Sequence, residues 1–222
     1  MGVRRTVLAA GCSTAITALL AAGPAFATGA GPAAGNVLTL GGAGGSAVAV
    51  GDTLTSSLSP GSTVAIRTTS GGSTGITCTT SSFTATVTAN PTAPGTATES
   101  LTAHTFGGCT SNIVGTTGVQ SITVDNLPAN TTVSSSGALV VGAGGSVRTT
   151  VKLNTILGVT TCTYNSTGIN GTTSNTDNSI TFANQLFSKA SGPITCPSTS
   201  YFSAKYGPVK DTTQSGSPVF VN

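Results

Sequence analysis

"SFTATVTAN", residues 82–90, alternates apolar and polar side chains at every step. Phe83, Ala85, Val87 and Ala89 fall on one side, Thr84, Thr86, Thr88 and Asn90 on the other. A period of two is that of a β-strand with one face in a core and one in water. The pattern recurs in "SVRTTVKLN" (146–154), where Val147, Thr149, Val151 and Leu153 oppose Arg148, Thr150, Lys152 and Asn154, and again in "QSITVDN" (120–126) and "NSITFANQL" (178–186). Between these runs lie "GGAGG", "SPGS", "SGGSTG", "NPTAPG", "LPAN" and "GAGGS", all turn chemistry. No helix-period segment follows residue 27. The chain therefore reads as all-β, an antiparallel sandwich or barrel of about ten to twelve strands.

The first 27 residues have the three parts of an export signal. Arg4 and Arg5 are the positive start, an apolar stretch runs from Val7 to about Ala22, and Ala25-Phe26-Ala27 offers the small-x-small pattern that signal peptidase needs. Cleavage after Ala27 leaves a mature chain beginning at Thr28, with a flexible lead-in over 28–36 and a single β domain over 37–222. Cys12 sits in "LAAGC", which looks like half of a lipid-attachment signal, but Ala9 stands where a Leu-like residue belongs. Only six residues separate Arg5 from Cys12, short of the roughly 7–15 of a working apolar region. Cys12 is thus expected to leave with the leader. Sec and Tat export both remain open. No other run of about 18 apolar residues exists, so the mature chain has no transmembrane helix.

Charge is sparse. Six basic residues outside the leader face five acids, a net charge of +1, and they form no cluster. That excludes binding driven by neutralising the phosphates of nucleic acid. Polarity comes instead from 43 Thr and 27 Ser, and Thr suits a pleated surface through its branched Cβ. The mature chain keeps four cysteines, Cys78, Cys109, Cys162 and Cys196. An even number in an exported chain implies disulfides, and no C-x-x-C metal spacing is present. Of three possible pairings, Cys78–Cys109 with Cys162–Cys196 has near-equal gaps of 31 and 34 residues and staples local strand pairs. The two cysteine-bearing stretches echo each other at offsets of 84 and 87 residues, as two related units or by chance in so repetitive a composition.

Several blocks, "ANPTAPGTATESLTAHTFGGCTSN", "GVQSITVDNLP", "KLNTILGVTTCTYN", "DNSITFANQLF" and "YFSAKYGPVKDTT", resemble a family of exported actinomycete proteins labelled as secreted or Tat-signal-domain proteins of unknown function. The likeness covers about residues 60–222. It implies an exported, β-rich product and carries no catalytic residues with it. A looser likeness, in the cysteine-strand layout and the Tyr near the end, is to exported alkane-oxidation activator proteins.

Enzyme chemistry finds little footing. His104, the one histidine, reads as a surface or loop-end residue; strict alternation would put it on the face opposite Glu99, its nearest carboxylate. Ser73 in "GGSTG" matches the nucleophile-elbow pattern, which works only where a helix follows a strand; here it reads as a hairpin loop. The five acids, Asp52, Glu99, Asp125, Asp177 and Asp211, come no closer than 26 residues, so no local pair for glycoside hydrolysis exists. One carboxylate at Asp177 falls short of a calcium site. Asn130, Asn165 and Asn170 begin sequons that read as turns under a bacterial-looking leader. Tyr201, Phe202, Tyr206 and Phe220 either line a small apolar pocket or close the core at the last strands. No catalytic, metal or cofactor residue is expected. The sequence thus describes an exported non-catalytic β domain with a structural, surface-associated or self-associating role; the alternative is a binding module for a small apolar ligand or a polysaccharide. Intact mass of the natural protein is expected to give a chain starting at Thr28, four hydrogens lighter than its reduced form. A lipid on Cys12 would overturn that reading.

Overall fold

The computed structural model describes Gly2 and residues 35–222. Apart from Gly2, the leader with Cys12 and its cleavage site, and the lead-in up to residue 34, lie outside the described residues. Residues 35–222 form one compact unit.

Eight strands close into an antiparallel ring. Their order is β5 (Gly75–Ala89), β6 (Thr96–Ser111), β8 (Ala129–Ser134), β9 (Ala138–Val141), β12 (Ile169–Ser174), β13 (Ser179–Ser191), β14 (Thr199–Tyr206) and β4 (Val64–Arg67), which returns to β5. The expected all-β class is met as a closed barrel. Two smaller sets extend it. On one side β7 (Thr116–Val124), β10 (Val147–Thr155) and β11 (Gly158–Ser166) hang from the far end of β13 and lay Ile122, Val151 and Tyr164 toward the interior. On the other, β3 (Thr53–Ser57), β15 (Lys210–Asp211), β16 (Ser217–Val221), β1 (Leu38–Leu40) and β2 (Ser46–Ala47) extend from β5. The described residues hold sixteen strands rather than ten to twelve. The surplus is in pieces of two to five residues, too short to display alternation.

The long strands carry bulges, because a strand of fifteen residues cannot stay regular around a tight barrel. On β6 Thr102 is an extra residue: Thr84 pairs Ala103 while Ala85 pairs Leu101. On β5 Thr88 is extra, between Val87 opposite Glu99 and Ala89 opposite Thr98. Ala89 consequently turns outward, away from Phe83, Ala85 and Val87. A third bulge on β13, between Phe182 and Gln185, puts both Phe182 and Phe187 inside.

The outer surface is held by hydroxyls. Thr88 meets Thr98 at 2.7 Å and Ser82 meets Thr105 at 2.8 Å, each across a strand pair. Among the described residues two ion pairs occur, Arg148–Asp125 and Lys205–Asp177. The disulfides are Cys78–Cys109, directly across β5 and β6, and Cys162–Cys196, tying β11 to the β13–β14 connection. Asn36, at the end of the lead-in, is pinned: its carbonyl accepts from the Asn222 side chain at 2.8 Å.

Gly171 on β12 shows how tightly the interior closes. A Cβ there would stand 2.8 Å from Cε1 of Phe182, its cross-strand partner. Gly171→Val is expected to destabilise the fold by about 1–3 kcal/mol through overpacking, seen as a lower urea midpoint at unchanged slope.

Candidate functional site

Among the described residues, three small chambers lie side by side in the barrel interior and share wall residues. The first, of about 40 Å³, lies among Ile66, Phe106, Val151, Tyr164, Phe187 and Phe202. The second, also about 40 Å³, shares His104, Val124, Val147 and Ile169 with the first. The third, about 30 Å³, shares Phe83, Glu99, Leu139 and Ile180 with the second. Each has room for more than one water by volume. Their walls are apolar side chains from both extensions as well as the barrel, interrupted by a few polar groups.

His104 is one of those groups. It is an interior residue and not the surface or loop-end histidine expected. The bulge at Thr102 flips the alternation, so Ala97, Glu99 and Leu101 point inward before it and His104 after it. His104 is wrapped by aromatic rings, with centroids 4.4 Å from Phe106, 5.6 Å from Tyr206 and 6.4 Å from Phe202. Burial pushes its pKa down to about 4, which keeps the imidazole neutral at neutral pH.

A directed hydrogen-bond chain follows from the donor inventory. The Ser81 hydroxyl donates to the Thr105 carbonyl at 2.6 Å, so its oxygen is free to accept from Tyr206 Oη at 2.8 Å. Tyr206 has then given up its one hydrogen, and its 2.8 Å contact with His104 Nε2 requires Nε2–H to donate. Ser81 also lies 3.4 Å from that nitrogen, and this Ser–His proximity was invisible in the sequence. The serine proton points to a carbonyl and the imidazole donates to Tyr206, the reverse of the polarity in a Ser–His nucleophile pair. Burial also pushes the Tyr206 phenol up, and the Tyr164 phenol up to about 12.

Glu99 is the second interior titratable group. It lies directly opposite Thr131 on β8, and both are buried. Among the described residues no side chain or backbone N–H bonds the Glu99 carboxyl, and Thr131 Oγ1 has no partner either. Burial alone pushes the Glu99 pKa up to about 7.

The other sequence candidates sort as follows. Phe202 and Tyr206 face the interior and join His104, whereas Tyr201 is on the outer face of β14 and Phe220 is half-buried on β16 opposite Thr39. Ser73 sits in the β4–β5 turn and is followed by a strand. Asp177 accepts from Lys205 at 2.5 Å and from Ser179 at 2.6 Å, the bonds that hold its carboxyl down to about 2. Folding does bring two acids together, Asp52 and Asp211, both buried. Burial raises the Asp211 carboxyl, and the neighbouring Asp52 carboxyl does the same. The pair caps turns: Asp211 Oδ1 accepts from the Thr213 and Gln214 amides, Asp52 Oδ2 from Ala49. It lines none of the three chambers. A separate open groove of about 380 Å³ lies outside, edged by Thr79, Thr80, Ser82 and Gly107, and Phe106 is shared between it and the first chamber. In comparisons with protein-family models, curated proteins and solved structures, nothing matches the chain.

The two interior groups set opposite pH slopes. The folded chain holds the Glu99 proton more tightly than the unfolded one, so this stability is full below about 4.5 and is lost as pH rises to about 7. His104 resists protonation when folded, so its contribution is full above 6.5 and is lost as pH falls to about 4. Glu99→Gln is expected to gain on the parent protein at pH 8 relative to pH 4, by on the order of 2–3 kcal/mol, read from thermal melts at both pH values.

Proposed function

We propose that this protein is an exported, non-catalytic binding module that holds a small, mainly apolar molecule inside its barrel. One observation carries the reading: the first two chambers adjoin through shared wall residues and are walled mainly by aliphatic and aromatic side chains, with the third beside them. That combination suits a small-molecule site, and eight strands are the size at which a barrel is filled by its own side chains or holds one small ligand. The narrow chambers favour a slender molecule over a bulky one. The paired disulfides support an oxidising compartment, as do the export leader and the likeness to exported actinomycete proteins. Among the described residues no helix is long and apolar enough to cross a membrane. The direction of the Ser81–Tyr206–His104 chain supports a non-catalytic role.

A second reading, surface attachment or self-association, is favoured by the loop tips. Val114, Ile156 and Leu157 are almost fully exposed on neighbouring connections, since Thr116 pairs Thr155 beside them. Ile194 is equally bare in the loop tied to β11 by Cys162–Cys196.

Protein recovered from culture supernatant is expected to lose an adduct mass on denaturation, and after emptying to take up a neutral apolar probe such as cyclohexane. Val147→Phe, at the junction of the first two chambers, is expected to abolish uptake with the circular dichroism spectrum unchanged. A monomer that carries no adduct and takes up nothing would sink the carrier reading. A concentration-dependent oligomer on size exclusion would favour the second.

A further inference from the structure

We propose that Glu99 and Thr131 form a seat for the amino group of a short, unbranched primary alkylamine whose tail lies in the second chamber toward His104. This rests on the interior-binding reading above and gives it a ligand class.

The geometry carries the assignment. Glu99 and Thr131 are cross-strand partners on β6 and β8, so their Cβ atoms stand side by side on the inner face, about 5 Å apart. Thr131 Oγ1 is buried without a hydrogen bond. The Glu99 carboxyl lines both the second and third chambers and has no protein donor among the described residues. Buried polar groups are normally paired, and two adjacent unpaired ones facing a cavity are explained by a partner that the chain does not itself supply. Neither chamber is lined by Lys or Arg, so Glu99 has no countercharge there. His104, which shares the second chamber, is committed to Tyr206 and forms no ion pair with Glu99.

The chemistry then selects among head groups. A carboxylate accepts hydrogen bonds and gives none, and Thr131 Oγ1 also accepts. An ammonium supplies three donors and a positive charge, so one group satisfies both side chains and neutralises the buried carboxylate. An alcohol has a single donor and no charge. A carboxylate ligand would place a second negative charge against the first. Away from the head, the second chamber presents Leu101, Leu139, Val141 and Ile169, a wall for a hydrocarbon chain. Because Glu99 titrates at about 7, its neutral form predominates below neutrality, and seating an ammonium sends the carboxyl proton to solvent while the carboxylate takes up the N–H bond.

The test titrates the folded protein with n-hexylamine, 1-hexanol and hexanoate by isothermal calorimetry near pH 7. Hexylamine is expected to bind about tenfold or more tightly than hexanol, the margin of a charge-assisted over a neutral hydrogen bond, and hexanoate weakest. Its apparent enthalpy is expected to vary with the ionisation heat of the buffer, reporting the released proton. In Glu99→Gln the amine and the alcohol bind alike and the buffer dependence disappears. If that variant does not fold, Thr131→Val serves instead: amine binding weakens severalfold while the order of the three probes persists. Equal binding of all three probes, or a preference for hexanol or hexanoate, overturns the amine seat and leaves interior binding standing. Hexylamine binding that is unchanged in both variants likewise overturns the seat. No binding by any probe overturns both.

Discussion

Everything inside this protein depends on the four residues of β4. Val64–Arg67 pair with β5 through Val64 to Cys78 and with β14 through Arg67 to Tyr201, and that double pairing turns a curved sheet into a closed ring. Arg67 binds the seam further, donating from Nη1 to the Ile76 carbonyl at 3.0 Å and from Nη2 to Thr77 Oγ1 at 3.1 Å. Were β4 absent, β5 and β14 would each expose a row of unpaired amides and carbonyls. The chambers would open to water, and with them the desolvation that shifts Glu99 and His104. The Cys78–Cys109 bridge sits at the β5 end of this seam, where it keeps β5 and β6 in register beside the closing strand.

What the sequence makes legible is what repeats locally. Alternation over residues 82–88 and 146–154 identifies strands and their inner faces, because one face of each is mainly apolar, with Thr149 the exception. The cysteine pairing is legible for a related reason, since each bridge closes a short excursion of the chain. The strand β15 is not: two residues, Lys210 and Asp211, hold no period at all. Nor is the meeting of Asp52 with Asp211, which depends on β15 lying against β3 across most of the chain's length.

The largest misreading, the side on which His104 lies, has one residue as its cause. Thr102 carries no mark of a bulge, being neither Gly nor Pro in a chain full of threonine, yet inserting it exchanges the faces of everything after it on β6. A signal was nonetheless present in "SLTAHTF": Leu101, His104 and Phe106 cannot all face inward on a regular strand, and a chain with few aromatics would not be expected to leave Phe106 in water. The interior polar groups were illegible because their significance is relational. Glu99 matters through the company it lacks, and only the folded arrangement shows that no Lys or Arg lines the chambers it faces.

The hydroxyl-paired exterior has a consequence for the medium in which the protein works. Dissolved ions alter folded proteins chiefly by screening charge, over about 8–10 Å at moderate salt. This surface offers them little to screen: two ion pairs among the described residues, and elsewhere neutral contacts such as Thr88 with Thr98. A coat of that kind is indifferent to whether the surroundings are dilute or briny. Concentrated solutes still reach the molecule, but through burial of its apolar interior, which excluded salts reinforce.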